Sequence, residues 1–174
     1  MKRILLFALA VCLLLAGCRS KPEQARDAAP ETETAAAAPM VSLYDLRVAM
    51  LAAQPDLPQM LNVSSSDENA AELFAYLSDL DYDKVEGYFL SYAADGKTAN
   101  EFAVVCLKDA ADVPALEVSL RTHIKGRVEL YRTYAPDQAE QAAAAELAVQ
   151  DRYVALIMCA DQAAVKAAFT AGIQ

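Results

Sequence analysis

The sequence predicts an α+β fold: a two-layer domain in which helices pack on a mainly antiparallel sheet of about four strands. Three observations lead to this prediction. Apolar residues recur at helical spacing in several segments, short and nearly continuous apolar runs alternate with them, and a turn sequence joins two of the runs. The predicted order of elements is helix, strand, strand, helix, strand, strand, helix.

Two helices are predicted in the first half of the domain. Ser42 is placed to cap a helix over residues 42–55. The apolar positions of this helix are Leu43, Leu46, Met50 and Leu51. A second helix is predicted over residues 66–80, with Ser66 and Asp67 as caps. The apolar face of this second helix consists of Leu73, Leu77 and Leu80.

A β-hairpin is predicted next. Residues 86–93, "EGYFLSYA", are short and rich in aromatic side chains, as strands are. Residues 94–97, "ADGK", supply a turn. Residues 100–109, "NEFAVVCLKD", then form the second strand, and their nearly unbroken apolar run is typical of a sheet interior.

A long helix is predicted over residues 112–136, where Pro136 ends it. Its apolar stripe consists of Val113, Leu116, Leu120, Ile124, Val128 and Tyr131. Two pairs of opposite charge stand four residues apart on the outer face, Glu117 with Arg121 and Lys125 with Glu129. Gly126 weakens the middle of this helix by about 1 kcal/mol relative to alanine.

The last third of the domain contains one ambiguous segment and two clear elements. Residues 137–150 are either a short helix that runs into a strand or a helix alone. Residues 152–160, "RYVALIMCA", are the clearest strand in the chain. A final helix follows, which Asp161 caps and Gly172 ends.

Residues 1–17 have the plan of a bacterial secretory signal peptide, with a cationic start, an apolar run over residues 4–15 and two small residues. The apolar run is too short for a stable transmembrane span. Residues 15–18, "LAGC", resemble the lipobox of bacterial lipoproteins. The resemblance implies cleavage before Cys18 and a diacylglycerol on its sulfur, which with further acyl chains such as palmitate gives stable anchoring.

The segment that follows, residues 18–40 with the lipidated Cys18 at its start, is predicted to be a disordered tether. It holds prolines, charges and an alanine run but hardly any large apolar residue. As a flexible coil it reaches roughly 25 Å on average. Residues 41–174 are predicted to form a single globular domain of ordinary size. The expected location is therefore the extracytoplasmic face of the cell membrane, with the lipid as anchor.

The charge of the chain argues against nucleic acid as a partner. There are 15 Lys plus Arg against 24 Asp plus Glu, a net charge of −9. An acidic chain is repelled by phosphate backbones and by anionic lipid headgroups. The expected partners are the membrane, through the lipid on Cys18, and a protein of the cell envelope.

Cysteine and histidine offer no known catalytic arrangement. Cys106 and Cys159 lie in apolar runs, and we expect either two buried thiols or one disulfide between them. His123 is the only histidine and lies in the long helix beside its apolar stripe. Without a G-x-S-x-G or S-x-x-K motif or a zinc-ligand spacing, we interpret His123 as a residue at the boundary between core and solvent. No catalytic residue and no cofactor are predicted.

Alternating acidic residues resemble the start of a calcium-binding loop. These are Asp79, Asp81 and Asp83, but the positions that require Gly and Glu hold Lys84 and Leu90. We therefore predict a solvated acidic turn and no metal site.

Tyrosines crowd the region of the predicted hairpin. Tyrosine combines an apolar body with a polar tip, which suits both binding surfaces and a half-buried sheet face. The interpretation therefore stays open between packing and a partner-contact surface. The candidates for such a surface are Tyr82, Tyr88 and Tyr92.

Four segments, "LPQMLNV", "ANEFAVVCLKDAADV", "YRTYAPDQ" and "DRYVALIMC", resemble the domain of unknown function 4358 family in order and spacing. The resemblance extends over about residues 55–169. It implies a small lipoprotein typical of clostridial-type Gram-positive bacteria, and it supports the predicted order of elements. The shared motifs concern packing and turns, so the resemblance implies no activity.

Two classes of function remain. The favoured hypothesis is a non-catalytic, lipid-anchored module that docks onto another component of the cell envelope. The alternative is an envelope enzyme that uses a carboxylate such as Glu101 or Asp83 together with a tyrosine.

Overall fold

A five-stranded sheet forms the centre of the computed structural model, which describes residues 41–173. The predicted signal peptide and tether lie outside the described residues. The strands follow the order β1-β2-β3-β5-β4, and every neighbouring pair is antiparallel. The strands are β1 (Met60–Ser64), β2 (Val85–Ala93), β3 (Glu101–Leu107), β4 (Glu146–Gln150) and β5 (Tyr153–Met158). The α+β class and the antiparallel sheet are thus confirmed.

Helices cover both faces of this sheet. The helices are α1 (Leu43–Ala52), α2 (Ala70–Phe74), α3 (Val113–Tyr134), α4 (Pro136–Ala143) and α5 (Gln162–Gly172). Leu46 of α1 and Phe169 of α5 pack on one face with Phe102 of β3. Phe74 of α2 and Leu120 of α3 pack with Val105 of β3 on the other. The prediction of two layers is therefore corrected to three, since successive residues of β3 contact opposite helical layers.

The strand β3 is central because both of its faces are covered. All of its residues are buried, and it pairs with β2 and β5. A strand with two covered faces loses the apolar–polar alternation of a half-exposed strand. The unbroken apolar run of residues 102–107 is the sequence counterpart of this position. The hairpin turn before β3 contains Gly96 at φ 63°, a conformation that glycine adopts without strain.

The strand β1 was not predicted, which raises the strand number from four to five. It is an edge strand that pairs only with β2. Its residues are half-buried or exposed, so they have no strong apolar periodicity. Asn62 instead accepts a hydrogen bond from the Ser91 hydroxyl of β2 at 2.6 Å.

The first predicted helix is confirmed, whereas the second is much shorter than predicted. Ser42 Oγ accepts a hydrogen bond from the backbone N–H of Asp45 at 3.2 Å, so it caps α1. Beyond α2 the backbone N–H groups of Asp79 and Leu80 donate to the hydroxyls of Ser119 and Ser78. These serine oxygens compete with the carbonyls that would continue the helix.

The remaining elements largely follow the prediction. Residues 137–150 form a short helix that leads into a strand, the first of the two alternatives. Asp161 Oδ1 accepts from Ala164 N at 3.1 Å and so caps α5. The outer face of α3 carries the predicted pair of Glu117 and Arg121 at 3.6 Å. Glu129, however, pairs with Arg132 at 2.6 Å and leaves the predicted Lys125 pair unformed.

Both cysteines of the domain are free and buried. Cys106 lies within β3, whereas Cys159 directly follows β5. The two thiols belong to the same apolar cluster, on the α1 and α5 face of the sheet. The structure therefore corresponds to the interpretation of two small hydrophobic side chains. Within residues 41–173, none of the helices is both long enough and apolar enough to cross a membrane.

The buried thiol of Cys159 predicts a loss of stability in alkaline solution. Burial raises its pKa from 9.0 to about 11, so the unfolded chain ionises first. The free energy of unfolding should be constant below about pH 9 and fall by about 1 kcal/mol near pH 10. Urea unfolding at both pH values measures this fall. The substitution Cys159→Ala should reduce this decrease in the free energy of unfolding. An equal decrease in both proteins would show that the Cys159 thiol is not its cause.

Candidate functional site

A buried carboxylate at the start of β3 is the most unusual feature of the described residues. Glu101 is 3% exposed and stands opposite Tyr92 of β2 and Met158 of β5. Because side chains alternate along a strand, Glu101 shares the α3 face with Val105. A carboxylate can be buried at acceptable cost only when it is ion-paired and hydrogen-bonded.

An imidazole and a guanidinium on α3 supply these partners. His123 Nε2 lies 2.5 Å from Oε1 of Glu101, and Arg127 Nε lies 3.1 Å from Oε2. The two residues are four apart, so they stand on adjacent turns of one helical face. Since a carboxylate accepts hydrogen bonds, Nε2 of His123 is the protonated ring nitrogen. Both oxygens of Glu101 therefore face a cationic or donating group.

Arg127 extends this arrangement to Tyr131. Its Nη2 donates to the Tyr131 hydroxyl at 2.9 Å, and its guanidinium carbon lies 5.1 Å from the centroid of the tyrosine ring. The Tyr131 hydroxyl in turn donates to the carbonyl oxygen of Thr98 at 2.7 Å. Burial is the main reason that the pKa of Tyr131 is raised, so this hydroxyl stays protonated. We call Glu101, His123, Arg127 and Tyr131 the Glu101 cluster.

The contact between Arg127 and Glu101 is an ion pair whose hydrogen-bond geometry is incomplete. The Nε–H group of Arg127 is buried and finds no hydrogen-bond acceptor in a suitable direction among the described residues, although Oε2 is within 3.1 Å. Coulombic attraction therefore dominates this contact. The guanidinium is consequently held by charge on one side and by Tyr131 on the other.

The Glu101 cluster borders a cavity of about 620 Å³, within the size range of sites for small molecules. The sheet supplies one wall and α3 the other, and the end of α2 closes one side. Glu101, His123 and Arg127 form the polar part of its lining. The remaining lining residues are Val63, Leu73, Tyr76, Leu90, Tyr92 and Gly126.

The predicted tyrosine surface is only partly compatible with the structure. Tyr88 is 0% exposed and donates its hydroxyl to the carbonyl oxygen of Ala70 at 2.7 Å, so it is removed from the candidate contact residues. Burial, with smaller contributions from Tyr82 and Asp67, raises the pKa of Tyr88 to about 12. Tyr82 is half-buried and packs edge-on against Tyr88. Of the three candidates, Tyr92 lines the cavity.

The position of His123 agrees with its interpretation as a residue at the boundary between core and solvent, but the structure adds a partner that the sequence did not indicate. Its side chain is 15% exposed and contacts Glu101, from which it is separated by 22 residues. Glu101, a candidate of the enzyme alternative, therefore lies in the cavity beside a tyrosine, Tyr92. Asp83 does not join it, because it lies in an exposed turn where its backbone N–H donates to Asp81.

The acidic turn has a structural role in the described residues. Oδ1 of Asp81 accepts from the N–H of Asp83 at 3.0 Å and so caps the short 3-10 helix Tyr82–Lys84. Lys84 pairs with Asp112 at 2.7 Å. Across residues 41–173, no group of three or more His, Cys, Asp or Glu side chains is arranged to hold a metal ion.

The fold and the cavity define a three-layer α+β domain with a charged cluster buried beneath a pocket. A family model described as a domain of unknown function (DUF4358) matches residues 59–159, and the chain belongs to this family. The matched part runs from β1 to β5 and includes the whole Glu101 cluster. Neither the curated proteins nor the solved structures contain a significant match to the chain.

Because Glu101 is buried, neutralising its side chain should have a large effect on the free energy of unfolding. Glu101→Gln should lower the free energy of unfolding by about 3 kcal/mol, because His123 and Arg127 would face an amide in place of a charge. Glu129→Gln is the matched control, since its ion pair with Arg132 is exposed and should contribute less than about 1 kcal/mol. Urea unfolding measures both. Equal effects of the two substitutions would contradict the role of Glu101.

Proposed function

We propose that the chain is a lipid-anchored lipoprotein of the extracytoplasmic membrane face, whose domain acts by binding and without turnover. The "LAGC" segment at residues 15–18 supports the anchor, because a cysteine follows a short apolar run and two small residues. Membership of a family without an assigned activity is compatible with such a role. The domain then serves as an accessory module that docks onto another component of the cell envelope.

The observation that favours binding over catalysis is the state of the cavity carboxylate. Both oxygens of Glu101 are engaged by His123 and Arg127. These contacts support a structural role for Glu101, in which it holds α3 on the sheet. No cysteine or serine is among the residues that line this cavity. The lining therefore offers recognition groups and lacks a nucleophile with its base.

A tether would make weak binding sufficient. Anchoring to the same membrane as the partner raises the effective concentration of the domain near that partner. The acidic chain, with a net charge of −9, would also be repelled by anionic headgroups and so be held away from the surface. Contacts of modest strength could then keep the domain on its partner.

An envelope enzyme is the second candidate, and one observation favours it. Glu101 holds His123 in a defined tautomer through Nε2, as the acidic residue orients histidine in catalytic triads. Nδ1 of His123 would then be the basic nitrogen. The two candidates differ in what function in the cell depends on. A binding module must be anchored at the correct location, whereas the enzyme would depend on His123.

The anchor predicts a specific effect of one cysteine. Cys18→Ala should leave the chain unprocessed or release it from membranes, because only a thiol forms the thioether to the lipid. Cys12→Ala is the matched control, since Cys12 lies within the apolar run and should be dispensable. Membrane fractionation and mass spectrometry of the mature chain measure the outcome. An unmodified Cys18 in the mature wild-type protein would contradict the proposal.

Rescue of a strain that lacks the gene distinguishes binding from catalysis. The anchored wild type should restore the phenotype, whereas a secreted form without lipid at the same level should not. Rescue by trace amounts of the soluble form, abolished by His123→Gln without unfolding, would replace the binding proposal by the enzyme.

A further inference from the structure

The geometry points to a ligand for the cavity beside the Glu101 cluster: we propose that it binds a small molecule with one carboxylate and an apolar or aromatic body. This inference names the ligand class for the binding role proposed above and rests on that role. It depends on three features of the described residues, namely the apolar walls, the unused donors of Arg127 and the position of Gly126.

The walls of the cavity suit an apolar body. Val63 of β1 stands opposite Leu90 of β2 in the sheet register, so both side chains share the face that α3 covers. Tyr92 continues this face, and Leu73 and Tyr76 approach from the end of α2. Burial of an apolar group against such walls removes apolar surface from water and so favours binding.

The polar end of the cavity offers donors on Arg127 that the cluster does not use. A guanidinium has five N–H donors. In Arg127, Nε faces Glu101 and Nη2 donates to Tyr131. Within residues 41–173, Nη1 takes part in neither of these contacts, and it is not among the buried atoms that lack a hydrogen-bond partner, so its N–H groups are accessible. An acceptor on a ligand could hydrogen-bond to these N–H groups, while the ion pair with Glu101 holds the guanidinium in place.

The charge balance favours a singly charged acceptor over a doubly charged one. Arg127 carries one positive charge, which Glu101 already offsets in part. A carboxylate matches the planar guanidinium and adds a single negative charge. A phosphate group would bring up to two negative charges next to Glu101, within a chain whose net charge is −9. A carboxylate therefore fits this site better than a phosphate ester does.

Gly126 lies in the cavity wall and keeps the volume open. A Cβ atom at this position would meet no other atom within 4 Å. Gly126 has no positive φ, so the backbone does not require glycine there. Glycine within a helix is less favourable than alanine. Gly126 is an exposed residue of the cavity lining, so a side chain at this position of α3 would extend into open space beside the cavity.

The test is isothermal titration calorimetry of the full chain in lipid nanodiscs with three probes that share one body. These are 4-phenylbutanoate, 4-phenylbutan-1-ol and 4-phenylbutan-1-amine. The acid should bind about tenfold more tightly than the alcohol, a factor that corresponds to about 1.4 kcal/mol. The amine should bind more weakly than either. Octanoate and N-acetyl-leucyl-leucine then distinguish a lipid-derived carboxylate from a peptide carboxyl terminus.

Two substitutions locate the binding. Gly126→Leu should abolish binding of the acid while the melting temperature stays the same or rises, because leucine fills the cavity and favours the helix. Val118→Leu is the matched control, since Val118 is an exposed residue of α3 outside the cavity lining. Arg127→Gln should reduce binding of the acid to the level of the alcohol. If Arg127→Gln unfolds the domain, Gly126→Leu and the three probes still decide.

Each opposite result overturns the inference. Equal binding of acid and alcohol would remove the carboxylate from the proposal. Unchanged binding by Gly126→Leu would place the site elsewhere, and no binding of any probe would exclude this ligand class. A failure here with intact membrane attachment and tether-dependent rescue would leave the proposed binding role in place. Loss of attachment or of tether dependence, with carboxylate binding retained, would overturn that role instead.

Discussion

The charge of Glu101 beneath α3 is the constraint on which the arrangement of this domain depends. A carboxylate buried in the central strand must be compensated, and the compensating groups come from one helix. The apolar residues Leu116 and Leu120 bring α3 onto the sheet. Apolar packing alone is non-directional, however, whereas the contacts of His123 and Arg127 fix how the helix is rotated about its axis.

The same contacts explain why a cavity lies beside the cluster. The N-terminal half of α3 packs closely on β3 and β5 through Leu116 and Leu120. Its C-terminal half belongs to a separate apolar cluster, in which Tyr131 packs with Ala142 of α4. Between them the long side chains of the Glu101 cluster bridge helix and sheet. Gly126 contributes no side chain at this point, so the bridged space remains unfilled.

Most of the fold could be predicted because its central strands have clear local patterns. β2, β3 and β5 are apolar runs, and Gly96 marks the turn of the hairpin. β1 could not be predicted, since an edge strand buries little and its polar residues serve one neighbour, as Asn62 does for Ser91. The length of α2 could not be predicted either, because it depends on hydroxyl groups such as that of Ser119, which lies about 40 residues away in sequence.

The candidate site was harder to predict, since its residues come together only in the folded chain. Motif searches test neighbours in sequence, and His123 has no suitable neighbour there, whereas its partner is 22 residues distant. One clue was nevertheless local: Glu101 begins an otherwise apolar strand that the sequence already placed in a sheet interior. A carboxylate in such a place requires a cation and a hydrogen-bond donor, and Arg127 with His123, four residues apart at the edge of an apolar stripe, supply them. A charged residue in a strand that the sequence places in the sheet interior thus indicates a tertiary contact, even where no catalytic motif exists.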